Sequence, residues 1–221
     1  MRVNMKRVLA FLTVIILALG LASCKNGFSS KVSDVKSALE ETCHAQKAES
    51  EQYEKMVDSK YSINEYAADF KDGVFTEVRS KDMTFFAFHA TVDRSDIKSV
   101  FKYLKTDPNS KDEGGYVANM EVLVIQFENS SAAQKYFEDI LNARKQTFES
   151  FEKTAGMKNE FVEKKEYFAF ASESDFMTYN TYCSIDGSTV MYASLEGPNA
   201  ESMKPEYYAF MKKMECSIIT L

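Results

Sequence analysis

An uncharged run at residues 8–21 decides which part of this chain can form a globular domain. Arg2, Lys6 and Arg7 precede the run, and no acidic residue occurs before Cys24. A stable transmembrane helix needs roughly 20 apolar residues, and these fourteen are too few. Because a basic segment followed by a short apolar run is typical of an export signal, we expect residues 1–23 to be removed.

The run ends in the sequence Leu21-Ala22-Ser23-Cys24. This ending resembles the lipobox of bacterial lipoprotein precursors, and the resemblance covers residues 1–24 only. It implies that a diacylglycerol is attached to the Cys24 thiol and holds the mature chain on the extracytoplasmic face of a bacterial membrane. Two acyl chains on one thiol suffice for firm anchoring, since one chain alone holds only marginally. An uncleaved membrane anchor and a secretory signal cut elsewhere are the alternatives.

The remaining residues set the size and the charge of the mature protein. Residues 24–31 are short and polar, so we interpret them as a lipidated tether, followed by a single domain over residues 32–221. Removal of Arg2, Lys6 and Arg7 lowers the total of Lys and Arg from 27 to 24 against 33 acidic residues, a formal charge of −9. A surface of this sign repels nucleic acid, which we therefore exclude as a partner.

The spacing of apolar residues alternates between the helical and the strand period along the domain. Asp186-Gly187 is a strong signal for a two-residue hairpin between two of the strands. Whether the first helix continues through residues 44–52 stays open. The pattern predicts a first helix beginning near residue 32, helices near 97–104, 131–155 and 205–214, and strands near 74–79, 82–90, 120–128, 161–171, 176–185 and 188–195.

Strand runs mixed with single helices indicate an α+β fold. We expect an antiparallel or mixed sheet of about five to six strands, with the helices packed mainly on one face. The helix near residues 131–155 has the clearest apolar stripe, which includes Phe137, Ile140 and Leu141. We expect this stripe to be buried against the sheet.

The hairpin at Asp186-Gly187 predicts a surface that could bind a partner. Pairing of Ile185 with Ser188 would set Thr181 opposite Tyr192 and Tyr179 opposite Ser194, all on one face. Aromatic rings beside hydroxyl groups suit contact with a protein or a saccharide. The alternative is that these tyrosines pack under another helix. The other face is more apolar and is the expected floor of the core: Phe176, Tyr182, Met191, Ala193 and Leu195.

Residues able to bind metal or act as a catalytic base are few. Cys43 and His44 are neighbours in a predicted helix and point about 100° apart, so they do not face a common ion. His89 could act as a general base, although a histidine at a strand end is usually structural. The loop at residues 107–112 lacks the glycine of a calcium-binding loop. We therefore predict no metal, no cofactor and no catalytic residue.

Three cysteines remain after lipidation, so at most one disulfide can form within the chain. The candidate pair is Cys183, in a strand, and Cys216, at the end of the last helix. A helix that returns over its preceding hairpin could bring the two thiols together. The alternative is that both are free and buried as small apolar residues.

These observations favour a non-enzymatic binding or interaction module displayed at the membrane surface. The order of elements looks like that of small single-domain lipoproteins of uncharacterised function, a resemblance that implies no activity. An envelope-associated hydrolase that uses His89 or paired carboxylates is one alternative. A solute-capturing lipoprotein of a transporter is another, although 198 residues are few for two lobes that close on a ligand.

Overall fold

One eight-stranded mixed sheet forms the centre of the computed structural model, which describes residues 31–58, 61–65, 67–79 and 89–221. The predicted signal, Cys24, most of the tether and most of the predicted strand at 82–90 lie outside the described residues. The helices are α1 (Val32–Cys43), α2 (Ser50–Val57), α3 (Ser130–Phe151) and α4 (Lys204–Lys213). The strands are β1 (Gln46–Lys47), β2 (Val74–Arg79), β3 (Ile97–Asp107), β4 (Ala118–Phe127), β5 (Lys158–Glu163), β6 (Tyr167–Glu173), β7 (Met177–Asp186) and β8 (Thr189–Pro198).

The strands follow the order β1-β2-β3-β4-β8-β7-β6-β5 across the sheet. The short β1 pairs with β2 in parallel, and every other pair is antiparallel. Helix α3 carries the chain from the centre of the sheet to its far edge, and the strands β5 to β8 return to the centre. The α+β class with a mixed sheet is confirmed, whereas the count of five to six strands is wrong.

Strand β3 replaces the helix that the sequence predicts near residues 97–104. Apolar residues at spacings of three and four imitate a helical stripe there, but they lie on two faces of a strand. Val100 faces α3, whereas Phe101 and Tyr103 face the opposite side. A strand buried on both faces reads as a nearly continuous apolar run, and its β-branched and aromatic residues favour strand over helix.

Helices cover both faces of the sheet, so the expectation of helices mainly on one face is wrong. Helices α1 and α4 pack against each other and against one face through residues such as Leu39 and Phe210. Helix α3 covers the opposite face with Tyr136, Phe137 and Ile140. The central strand β4 is apolar on both faces, and it needs cover on each side.

The first helical region consists of two helices, which answers the question left open at residues 44–52. Helix α1 ends because His44 adopts the left-handed conformation, at φ 52°, and its N–H donates to the Leu39 carbonyl. The chain then forms β1, and α2 begins with a capping box between Glu49 and Gln52. The polar segment at residues 44–52 therefore contains the short strand β1 and the first residues of α2.

Phe137 provides a test of the packing of α3 on the sheet. Its side chain is 2% exposed and its ring lies 5.7 Å from that of Phe168. We expect Phe137→Ala to lower the free energy of unfolding by about 3–5 kcal/mol, because it removes a buried ring and leaves a cavity. Urea titration followed by circular dichroism measures this change. Phe176→Ala is the matched control, since Phe176 is 74% exposed and its loss should change stability by less than about 0.5 kcal/mol.

Candidate functional site

Helix α3 covers the face of the β7–β8 hairpin that the sequence predicts as a surface for a partner. The turn is Gly187-Ser188, with Gly187 at φ 58°, so Asp186 pairs with Thr189. A glycine at the first central position is typical of a type II′ turn, and the prediction assumed Asp186-Gly187 instead. The pairing of Thr181 with Tyr192 and of Tyr179 with Ser194 is wrong. Each residue pairs two positions further along β8, which leaves it on the same face.

The four residues of this face are buried to different extents. Thr181, Tyr192 and Ser194 are 2%, 1% and 2% exposed, and Tyr179 is half-buried with its ring 5.0 Å from that of Phe151 in α3. The face therefore packs under a helix, as in the alternative interpretation. On the opposite face Tyr182, Met191, Ala193 and Leu195 belong to the core as expected, whereas Phe176 is exposed.

A layer of charged and polar side chains lies between α3 and the sheet on this same face. Glu121 from β4 contacts both Lys102 from β3 and His89, which precedes β3. The His89 ring stacks on Tyr192 from β8, at 3.9 Å between centroids. We call the set the polar layer, and its six members are His89, Lys102, Glu121, Arg144, Tyr192 and Glu196.

Glu121 is the most deeply placed carboxylate of the polar layer. Its Oε1 lies 3.1 Å from Lys102 Nζ, and its Oε2 lies 3.2 Å from His89 Nε2. Burial by itself would raise the pKa of the Glu121 carboxyl, but the charges of Lys102 and His89 outweigh burial and hold that pKa well below its usual range. Glu121 is therefore ionised in the folded protein at neutral pH.

Arg144 joins α3 to the other end of the polar layer. Its guanidinium donates to the Tyr192 hydroxyl and to Glu196 Oε1, the latter at 2.8 Å. The Tyr192 hydroxyl also donates to Glu196 Oε1 at 3.1 Å. Burial, together with the Glu196 carboxylate, raises the pKa of Tyr192, so this hydroxyl stays protonated and serves as a donor. The planar guanidinium of Arg144 thus links α3 to β8 through several hydrogen bonds.

The polar layer is joined by contacts among its own members. Lys102 and Arg144 match Glu121 and Glu196, and each cation contacts a carboxylate within 3.1 Å. His89, proposed from sequence as a general base, is held by the Glu121 carboxylate and by the face of Tyr192. Such an arrangement orients side chains and fixes α3 on the sheet.

Sequence reasoning missed four members of the polar layer, although a signal for two of them exists. Lys102 interrupts the apolar run Val100 to Leu104, and Glu121 interrupts the apolar run of β4. A single charge inside a strand that is buried on both faces must find a partner of opposite sign. Nothing comparable marks Arg144 or Glu196, which lie among other polar residues.

The candidate disulfide between Cys183 and Cys216 does not form, because the two thiols lie on opposite faces of the sheet. Cys183 packs under α3, whereas Cys216 packs with Tyr182 beside α4. Both are free, as is Cys43. Burial raises the pKa of Cys216 to about 12 and raises that of Cys183 as well, so both remain protonated and inert at neutral pH.

One small recess lies beside the edge of the core in the described part of the chain. This recess of about 10 Å³ between β6, β7 and the C-terminal segment has room for one water molecule, and Asn180, Tyr207 and Ser217 are among its lining residues. Within residues 31–58, 61–65, 67–79 and 89–221, no group of three or more His, Cys, Asp or Glu side chains could hold a metal ion. Every described helix is too short or too polar to cross a bilayer.

Comparison with known proteins yields distant structural likeness alone. No family model matches the chain, and no curated protein matches it. Among solved structures, the extracellular domain of PknH from Mycobacterium tuberculosis superimposes with a TM-score of 0.34 at 9% sequence identity. The superposition covers 54% of this chain and 66% of that chain, just under two thirds of its length.

Glu121 makes the stability of the fold depend on pH. A carboxyl whose pKa is lower in the folded protein than in the unfolded chain stabilises the fold above the unfolded-state pKa, which is about 4.3 for Glu. That stabilisation disappears as the pH falls through the lowered folded-state pKa. We expect Glu121→Gln to lower the free energy of unfolding at pH 7 by about 3–5 kcal/mol, because Lys102 keeps its charge in a buried position.

Urea titrations of both proteins between pH 7 and pH 3 measure this effect. The free energies of unfolding of wild type and Glu121→Gln should differ by a constant amount above about pH 5. This difference should shrink below about pH 4. Glu149→Gln, on the exposed side of α3, is the control, and it should leave the free energy of unfolding nearly unchanged at any pH. An equal difference at pH 7 and pH 3 would contradict the assignment of Glu121 as the ionised partner.

Proposed function

We propose that this protein is a lipid-anchored binding module of a bacterial cell envelope, held on the extracytoplasmic face by diacylglycerol on Cys24. The observation that carries the proposal is the ordered signal at the N-terminus. A basic segment, a short apolar run, two small residues and a cysteine follow one another within residues 1–24. This order suits removal of the signal and lipidation of the thiol.

The fold supports a module that works close to the membrane surface. Helix α1 begins at Val32, so only residues 25–31 separate it from the lipidated cysteine. Seven residues in an extended chain span about 25 Å at most. The tether is therefore comparable in length to the diameter of a small domain, and partners would be met at or near the same membrane.

The polar layer supports binding over catalysis. Its cations and carboxylates are engaged with one another, and Tyr192 keeps its proton because burial raises its pKa. Such groups stabilise one arrangement of helix and sheet, and a rigid scaffold of this kind suits presentation of surface side chains to a partner. The proposed partner is an envelope protein or a saccharide.

Replacement of Cys24 tests the anchor. We expect Cys24→Ser to leave the membrane fraction and to lose incorporation of an alkyne-labelled fatty acid, because position 24 no longer carries a thiol for the diacylglycerol. Cys216→Ser is the matched control, since Cys216 is buried beside α4 and should leave both labelling and membrane retention unchanged. A Cys24→Ser protein that stays in the membrane fraction at the size of the processed wild type would refute the proposal.

A further inference from the structure

Two aromatic side chains stand out as exposed although aromatic residues fill the core. Phe176 is 74% exposed and Tyr116 is 62% exposed, the highest values among the exposed large apolar residues of the described chain. They lie in different loops, between β6 and β7 and between β3 and β4. Both loops leave the sheet at the same end, because β3 ends and β4 begins there, as β6 ends and β7 begins.

Hydrogen bonds hold both loops in place. The Phe176 and Met177 N–H groups donate to Ser174 Oγ at 3.4 and 3.2 Å. The Tyr116 N–H donates to Asp112 Oδ1 at 2.8 Å, and the Tyr116 carbonyl accepts from the Asp112 N–H at 3.0 Å. The aromatic side chains are thus presented on ordered backbone, which lowers the entropy lost when a partner binds.

Asn199, directly after β8, connects the two loops. Its N–H donates to the Phe176 carbonyl at 3.2 Å, and its Nδ2 donates to the Ser110 carbonyl, also at 3.2 Å. Asn199 adopts the left-handed conformation, at φ 50°, which directs its two donors toward different loops. The loops that carry Phe176 and Tyr116 are therefore fixed relative to each other. We call the surface of Tyr116 and Phe176, with the residues that flank them, the aromatic rim.

The charges of the aromatic rim are mainly negative. Asp112, Glu113 and Asp175 lie beside the two aromatic residues in sequence, and Lys111 is the one base in the same two loops. Lys204, which lies at the same end of the sheet, is neutralised by Glu173 at 2.6 Å and Glu201 at 2.5 Å. The surface around the exposed rings is therefore acidic.

We infer that the aromatic rim is a docking surface for a basic segment of a protein partner, a conclusion that rests on the proposed function and narrows it. Lys and Arg side chains are attracted both by the face of an aromatic ring and by neighbouring carboxylates. Anionic lipid headgroups and nucleic acid are repelled by Asp112, Glu113 and Asp175. A neutral saccharide could stack on the rings and donate hydroxyl hydrogen bonds to the carboxylates, but it has no positive charge for the acidic surface to attract.

Binding of a defined peptide tests the chemistry of the inference. The probe is a fluorescent dodecapeptide of alternating Arg and Gly, titrated against the full lipidated protein in detergent, and the same peptide with Glu in place of Arg is the comparison. We expect the Arg peptide alone to bind, and to bind more weakly as the salt concentration rises. We expect Phe176→Ser, Tyr116→Ser and Asp175→Lys each to weaken its binding by about tenfold.

Ile218→Ser is the matched control for these variants. Ile218 is also exposed, at 40%, but its neighbour Ser217 donates to the Tyr167 hydroxyl at the opposite end of β6. β6 spans about 20 Å, so Ile218 lies far from the aromatic rim. Three results would each overturn the inference. They are unchanged binding of the Arg peptide by the rim variants, equal binding of the Glu peptide, and no binding of the Arg peptide by the wild type.

Crosslinking in cells separates the inference from the proposed function. A photoreactive residue replaces Phe176 in one strain and Ile218 in another, and the anchored protein is irradiated in place. A protein crosslinked from position 176 through a Lys-rich or Arg-rich segment supports the aromatic rim. Crosslinks from position 218 alone would support an interaction module and refute the rim. Crosslinks from neither position would also refute the rim, whereas the anchored module is refuted only by the Cys24→Ser experiment.

Discussion

Strand β4 is apolar on both faces, and helices on each side of the sheet shield those faces from solvent. Met120, Val122 and Val124 face α1 and α4, whereas Leu123 and Ile125 face α3. A strand buried in this way can satisfy its backbone N–H and C=O groups only through neighbouring strands. β3 and β8 supply those partners on either side. The two opposed helix layers and the crossover through α3 follow from this requirement.

The one carboxylate in the middle of this strand determines what lies next to it. Glu121 faces α3, and Lys102 approaches it diagonally from β3, where Leu104 is the residue directly opposite. A buried ion pair adds little stability compared with apolar residues of the same shape, but it strongly disfavours arrangements that separate the charges. A shift of two residues between β3 and β4 would move Lys102 about 7 Å along its neighbour. The pair therefore disfavours the shift that carries the two charges further apart, whereas a shift in the other direction would set Lys102 directly opposite Glu121.

Local patterns explain which parts of this fold could be predicted from sequence. The strands β4 and β7, the helices α3 and α4 and the burial of Phe137 follow from apolar spacing and from turn residues, which act over a few positions. β3 could not be recognised, because Ile97, Val100 and Leu104 fit a helical stripe unless the cover on the second face is known. The polar layer depends on contacts between residues such as Arg144 and Glu196, which are distant in sequence. The exposure of Phe176 depends on its place just before β7, one position outside the strand in which Thr178 and Asn180 are buried.

The position of β8 has a consequence for the order in which the fold can assemble. β8 is the last strand in sequence, yet it lies between β4 and β7 and joins the two halves of the sheet. Until β8 has been delivered, β2, β3 and β4 form one incomplete sheet and β5, β6 and β7 form another, each with an open edge. A chain that emerges N-terminus first, from a ribosome or from any pore, cannot close this core before nearly all of its residues are free. The topology therefore makes the delivery of β8 the step at which two separate half-sheets become one cooperative unit.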